Sequence, residues 1–333
     1  ALGTFLSTQF GLNNPKAELG APAAVALILA FLLVSNNFYV ANGSFSSFGL
    51  GANSDVVPAT ALEDIGPDGL PAEVINLIPD GGYLAAHGQP NFSDHRVDFQ
   101  GRDHLYQLSE ALRGSEGAWE NFAASNNTEV IVLNATALLN NRPYGGSTII
   151  PRLILTQKYR LAYFDGATAV LAQLTPATES LLRNTEIRTK GLNRIEDARK
   201  ALAEQSGGVS PAGISARVMG AASVFYGMGQ HAEALKLFAV ATAATPSWNE
   251  GWLHHGMCLL ATGEVEKSID SLNTALRINK QDVRTWIVLA QAYDKNDEPG
   301  EAELAREQAM RIDAPRASAM LGKPAKSDTS TAL

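Results

Sequence analysis

The chain has 333 residues, 45% of them hydrophobic and 18% charged, with a formal net charge of −8. This composition is typical of a folded protein with room for two or three domains, and it excludes an intrinsically disordered chain. The negative charge argues against nucleic acid as a partner, and the one cysteine, Cys258, excludes an internal disulfide.

An apolar run near the N-terminus predicts a transmembrane helix at residues 21–40. It follows a mixed segment, residues 1–20, and residues 21–34 have no polar side chain. A membrane helix needs about 20 mostly apolar residues, and the polar and aromatic residues at 35–40 suit the headgroup region. A buried core helix and a signal peptide are the alternatives. The signal peptide is disfavoured because no basic segment precedes the run.

The distribution of charge predicts the orientation of this helix. No Lys or Arg lies between Lys16 and Arg96, whereas residues 41–95 contain seven acidic residues. Basic residues flank the cytoplasmic ends of membrane helices. We therefore expect a protein that crosses the bilayer once within this chain, with its bulk outside the cytoplasm, in the periplasm.

The next residues predict a linker and then a small α/β domain. Residues 41–72 are rich in Gly, Ser, Asn and Pro, which is typical of a linker. Within 73–174, periodicity predicts helices and a buried strand, and the Asp-Gly at 165–166 predicts a tight hairpin turn. The predicted helices are 103–112, 119–124 and 147–157; the predicted strands are 91–99, 128–133, 159–164 and 167–174.

Residues 73–174 also resemble the extracytoplasmic domain that follows the last membrane helix of C-type membrane glycosyltransferases. If Gly101-Arg102 is matched to that family's Asp-Gly-Arg element, Gln100 replaces its Asp; the alternative match, Asp94-His95-Arg96, keeps Asp and Arg but loses Gly. The resemblance implies the non-catalytic C-terminal tail of a longer enzyme that acts on a lipid-linked sugar, because nothing here matches the family's catalytic Asp. The matching elements are Gly82-Tyr83-Leu84, Gly101-Arg102 with Tyr106, Trp119, 130–133 and 164–170.

From residue 215 to residue 315 the sequence repeats with a period of 34, as Trp252 and Trp286 show. The pattern resembles the tetratricopeptide repeat (TPR) and implies an α-solenoid of three helix pairs, 215–248, 249–282 and 283–315. An amphipathic helix and loop at 178–214 predict an N-terminal cap. Residues 316–333 predict a disordered tail that leaves the last repeat uncapped. A small residue recurs at one position of each repeat: Ala222, Gly256 and Ala290.

The TPR resemblance implies a partner-binding groove, because the first helices of such repeats line a concave surface. Carried over to this chain, the groove has an apolar floor and one charged wall, which suits an apolar protein segment. The alternative is that these residues pack against the chain's own helices or its C-terminal tail. The groove residues are Met219, Tyr226, Glu250, Leu253, Met257, Leu260, Arg284, Ile287, Gln291, Asp294 and Lys295.

No pattern in the sequence indicates a catalytic site. The spacings of His87, His95 and His104 fit no metal-binding motif, so we expect no metal and no cofactor. A Gly-rich phosphate loop and a nucleophile elbow are both missing. Glycosylation sequons begin at Asn42, Asn91, Asn126 and Asn134, of which the last ends a predicted buried strand.

The sequence thus predicts a multidomain fold with a transmembrane helix, a small α/β domain and a C-terminal α-solenoid of three TPRs. The predicted function is a membrane-anchored extracytoplasmic scaffold that docks protein partners in a membrane complex. The alternative is the glycosyltransferase tail described above. Whether the chain takes part in an enzymatic reaction stays open.

Overall fold

The computed structural model describes residues 57–66, 70–71, 73–93, 102–113, 117–135, 149–204 and 212–322. The predicted transmembrane helix at 21–40 lies outside these residues. In the part of the chain that is described, no helix is both long and apolar enough to cross a membrane. The described residues up to 204 and from 214 onward form one compact unit.

The first part of this unit is a small sheet surrounded by helices, several of them short. Helices at 102–113, 118–125 and 149–155 confirm the three predicted helices of the α/β region. The strands are β1 (Val74–Asn76), β2 (Val130–Asn134), β3 (Arg160–Phe164) and β4 (Thr168–Ala172). The helices are α1 (Ala59–Ile65), α2 (Ile78–Ala86), α3 (Arg102–Arg113), α4 (Ala118–Ser125), α5 (Ile149–Leu155), α6 (Glu179–Arg183) and α7 (Thr185–Glu204).

The sheet has four strands in the order β1-β2-β4-β3. β1 pairs with β2 in parallel, which requires a crossover between them, and α2, α3 and α4 lie on that crossover. β2 and β3 are both antiparallel to β4. The predicted hairpin of β3 and β4 is confirmed, and Gly166 supplies the positive φ of its turn, at 89°.

Helices cover both faces of the sheet, which explains why every residue of β2 and β4 is buried. Successive side chains of a strand point to opposite faces. Val130 and Val132 belong to a core shared with α1, α2 and α6, whereas Ile131 and Leu133 belong to a second core. That second core continues without interruption into the helices of the first repeat.

The second part of the unit is a stack of helix pairs, as the 34-residue period predicts. Each helix has between 13 and 16 residues, and each pair matches one predicted repeat. The six helices are α8 (Ala212–Gly227), α9 (His231–Ala244), α10 (Asn249–Thr262), α11 (Val265–Ile278), α12 (Val283–Lys295) and α13 (Pro299–Ile312).

The end of the array differs from the prediction of an uncapped repeat and a disordered tail from residue 316. A short helix, α14 (Ala314–Met320), packs on α12 and α13. Asp313 caps it by accepting a hydrogen bond from the backbone N–H of Arg316 at 3.1 Å. Ala317 is fully buried beside Val283 and Ala309. The small residues of this segment form no amphipathic pattern, so the sequence did not predict the helix. Its burial comes from packing on the preceding repeat.

The predicted linker at 41–72 also contains structure, because α1 lies within it. Asp64 of α1 is buried and forms a two-pronged ion pair with Arg194 of α7, with N–O distances of 3.1 and 2.8 Å. This pair holds α1 against a helix that is 130 residues away in sequence. The local sequence of a Gly- and Pro-rich segment could not have predicted this long-range ion pair.

Candidate partner-binding surface

The apolar floor predicted for the groove is part of the protein core. Met219 and Leu253 are each 1% exposed, Ile287 is 2% exposed and Leu260 is 8% exposed. Leu253 and Leu260 belong to the core that joins α10, α11 and α12. For these four residues, the alternative of packing against the chain's own helices describes the structure.

Three other predicted groove residues form an exposed strip on α12. Gln291, Asp294 and Lys295 are exposed and lie three and four residues apart, so they share one face of the helix. An amide, a carboxylate and an ammonium group are therefore presented side by side. The remaining groove residues are half-buried: Tyr226, Glu250, Met257 and Arg284.

A pair of opposite charges joins the first helices of repeats 2 and 3. The guanidinium of Arg284 on α12 donates to the carboxylate of Glu250 on α10, and the two residues are 34 apart. Both occupy the second position of their repeats, so the period itself brings them together. Arg284 Nε also lies 3.7 Å from Asp282 Oδ1. The pair fixes the spacing of the two helices on this side of the array.

Asp282 caps the helix that carries Arg284, and the predicted groove positions did not include it. As N-cap of α12 it accepts from the backbone N–H of Arg284 at 3.3 Å and from the Thr285 hydroxyl at 2.7 Å. An Asp just before an apolar helical run is a start signal, so the sequence contained the information. The cap fixes the first turn that holds Arg284.

His254 lies beside this charge cluster, with its Nδ1 4.0 Å from Glu250 Oε2. Its Nδ1 lies 2.8 Å from the backbone carbonyl of Glu250, and its ring stacks on Phe238 with a centroid distance of 5.5 Å. Burial lowers the pKa of His254 from its ordinary value, so the imidazole is neutral at neutral pH. The ring therefore adds packing and a backbone hydrogen bond, and no charge, to this side of the array.

The exposed strip is tied to the helices on both sides of α12. Asp294 forms an ion pair with Arg306 of α13. Lys295 Nζ lies 3.5 Å from the Leu260 carbonyl at the end of α10. Arg306 was missed by the sequence prediction because it lies on a second helix, outside the groove positions. These contacts orient the strip while leaving its outer side accessible.

Histidine, cysteine and acidic side chains are the groups of the described residues that could bind a metal ion or act as a nucleophile. No group of three His, Cys, Asp or Glu residues among them is placed to hold a metal ion. Cys258, on α10, is buried, and burial raises the pKa of its thiol to about 12. His87 is exposed and its Nδ1 lies 2.8 Å from the Tyr83 carbonyl. His95 lies outside the described residues.

The glycosylation sequons in the described residues are poorly placed for modification. Asn134 is 2% exposed, and the serine of the Asn91 sequon, Ser93, is fully buried. Asn126 donates its amide to the Phe122 carbonyl at 2.8 Å. A sugar on Asn134 would require its buried side chain to emerge, and a sugar on Asn126 would require this hydrogen bond to break. Asn42 lies outside the described residues.

Comparisons with known proteins identify the repeat. Residues 250–282 match the family model of the tetratricopeptide repeat. The chain is similar to the first TPR domain of Spaghetti (RPAP3) bound to HSP90 peptide SRMEEVD, with 12% identity, 33% of this chain and 94% of that chain covered, and a TM-score of 0.30. It is also similar to MamA, with 19% identity, 40% and 82% covered, and a TM-score of 0.32. Curated protein sequences give no significant match.

The family match and the helix pairs show that the chain carries tetratricopeptide repeats. Such repeats form protein-interaction scaffolds, because stacked helix pairs present an extended surface. The resemblance of 73–174 to C-type glycosyltransferases is not shown by these comparisons and stays a prediction.

Proposed function

We propose that this chain is a membrane-anchored extracytoplasmic scaffold whose TPR array docks a protein partner of a membrane complex. The observation that carries the proposal is the exposed strip of α12, in an array whose fold serves protein interaction. The anchor and the location rest on the apolar run at 21–40 and on the absence of Lys and Arg between Lys16 and Arg96.

The partner surface in this proposal is polar. The apolar side chains at the predicted groove positions of repeat 3 and most of repeat 2 are core, so a partner meets Gln291, Asp294 and Lys295 first. Met257 and Tyr226 are half-buried and supply limited apolar contact beside them. We therefore expect recognition through hydrogen bonds and paired charges, with a modest apolar contribution.

Site-specific photo-crosslinking tests this surface. A photoreactive amino acid at Gln291 should capture a discrete partner from membranes, whereas the same group at Asn273 should not. Asn273 is a matched control because it is exposed on α11, the second helix of its repeat. Equal capture at both positions would move the interface away from the strip.

Charge reversal gives an independent readout. Lys295→Glu should weaken co-purification of the captured partner in mild detergent, and Lys267→Glu should not. Lys267 is an exposed lysine on α11 that pairs with Glu264 at 2.6 Å, which makes it the control for adding negative charge. If both variants retain the partner equally, Lys295 is not part of the interface.

Protease protection tests the location. Protease added outside intact cells, or outside spheroplasts for a periplasmic protein, should cleave the region after residue 41. Full protection of that region, with cleavage after permeabilisation, would place it in the cytoplasm and overturn the proposed topology.

A further inference from the structure

We infer that the junction between the sheet and the first repeat is a lock that makes the α/β domain and the TPR array one rigid body. The first observation is a shared core. Ile131 and Leu133 of β2 pack in the same buried cluster as Val218, Ala222 and Phe238 of repeat 1. The first repeat thus covers one face of the sheet, and separating the two would expose this apolar surface to water.

The second observation is direct contact between two backbones. A Cβ on Gly220 of α8 would lie 2.2 Å from the carbonyl oxygen of Gly166 in the hairpin turn. A Cβ on Gly166 would lie 2.4 Å from the carbonyl oxygen of Arg217. Only glycine at both positions permits this approach. The helix and the turn therefore meet without intervening side chains that can slide or rotate.

The third observation is a buried ion pair across the same contact. Arg217 Nη1 donates to Asp165 Oδ2 at 2.5 Å and to the Asp165 carbonyl at 3.2 Å. The other carboxylate oxygen of Asp165 accepts the backbone N–H groups of Ala167 and Thr168 at 2.9 and 2.8 Å. Asp165 is fully buried, so moving Arg217 away would remove the cationic partner that its carboxylate has in this structure.

Further hydrogen bonds connect this ion pair to the opposite face of the sheet. The Tyr163 hydroxyl lies 2.9 Å from Asp64 Oδ2 and 3.2 Å from Asp165 Oδ2. Asp64 in turn holds Arg194 of α7. A Cβ on Gly191, also on α7, would lie 2.5 Å from the Phe164 carbonyl, so this helix touches the hairpin backbone as well. Close backbone contacts and buried hydrogen bonds thus connect four elements: the array, the hairpin, α7 and α1.

A partner held by the array therefore keeps a fixed position relative to the α/β domain. A hinge at this junction would have to break the shared core, the glycine contacts and the ion pair together. The rigidity of this junction does not depend on which partner binds, or on whether a partner binds at all.

The distance between two spin labels measures this rigidity in the full chain. Labels are placed at Lys158→Cys, beside β3, and at Asn273→Cys, on α11, both exposed sites. Cys258 stays in place because it is buried and its thiol is protonated. Pulsed dipolar spectroscopy should give one narrow distance distribution in the otherwise unchanged chain. A broad or two-peaked distribution would overturn the rigid body.

Variants of Arg217 test whether the ion pair is part of the lock. Arg217→Met and the milder Arg217→Gln should broaden the distribution or add a second distance. Arg306→Met is the control, because it removes an ion pair within repeat 3 and leaves the junction intact. A distribution that stays narrow in a folded Arg217 variant would show that the ion pair does not contribute. If neither variant folds, the width in the unchanged chain still decides the main inference.

Discussion

Replacing Gly256 by alanine should destabilise the array, although the other two repeats carry alanine at this position. Gly256 lies on α10 where that helix touches α11. An added Cβ would meet Leu272 Cγ at 2.8 Å and Leu272 Cδ2 at 2.9 Å, closer than carbon atoms normally approach. Leu272 is fully buried, so it has little free space into which it can move.

Two opposing effects set the size of the change in the free energy of unfolding that Gly256→Ala causes. Alanine favours a helix interior over glycine by about 1 kcal/mol. Overpacking a closely packed core costs about 1–3 kcal/mol. The Gly256 carbonyl also accepts a hydrogen bond from the Ser268 hydroxyl at 2.7 Å, so pushing the helices apart strains a buried contact. We expect a net loss of about 1 kcal/mol in the free energy of unfolding.

Leu272→Ala provides the decisive background. On its own it should cost about 2–5 kcal/mol, because it leaves a cavity. In that background the clash is gone, so Gly256→Ala should stabilise the protein by about 1 kcal/mol through helix propensity. Urea unfolding followed by circular dichroism measures all four proteins of the cycle. If Gly256→Ala changes stability by the same amount in both backgrounds, the steric argument is wrong.

Three further predictions concern buried and exposed polar groups. Asp80 is buried, and this burial raises the pKa of its carboxyl group well above the ordinary value. Because the folded state then binds the proton more tightly than the unfolded state, the free energy of unfolding decreases as pH rises from about 4. Asp80→Asn should make the free energy of unfolding less dependent on pH, as measured by urea unfolding at a series of pH values. Leu253→Glu should lower the free energy of unfolding by about 4 kcal/mol or more, because it buries an unpaired charge. Lys295→Glu, at an exposed position, should lower it by less than about 0.5 kcal/mol. Thermal unfolding of the two variants compares these effects. Tyr163→Phe should lower the free energy of unfolding by about 1–3 kcal/mol, because two buried carboxylates lose the hydroxyl group that contacts them. An unchanged midpoint of urea unfolding would contradict the hydrogen-bond network described above.

The sequence alone determined the helix pairs of the array, because their signal is local and repeated. Trp252 and Trp286 recur at the same position, and each donates its indole N–H to a backbone carbonyl six residues earlier, at 2.9 Å in both repeats. The β2 strand and the β3–β4 hairpin were also predictable, since β-branched runs and an Asp-Gly turn act within a few residues.

Only the tertiary structure decided which side chains the array leaves available. The groove positions were assigned from the repeat pattern, but burial at a position depends on what packs over it. Leu253 and its counterpart in the next repeat, Ile287, are therefore core, whereas Gln291, four residues after Ile287 on the same helix, is exposed. A repeat pattern identifies the face of a helix and carries no information on the neighbours that cover it.

The long-range contacts of the sheet region, including those that join it to the array, were beyond sequence reasoning for the same reason. Arg217 and Asp165 are 52 residues apart, and Arg194 and Asp64 are 130 apart. Neither pair belongs to a periodic pattern, and Gly220 is indistinguishable in sequence from any glycine in a helix. Local sequence sets the helices and strands, whereas the pairing of distant charges and the close approach of backbones exist only once those elements have packed together.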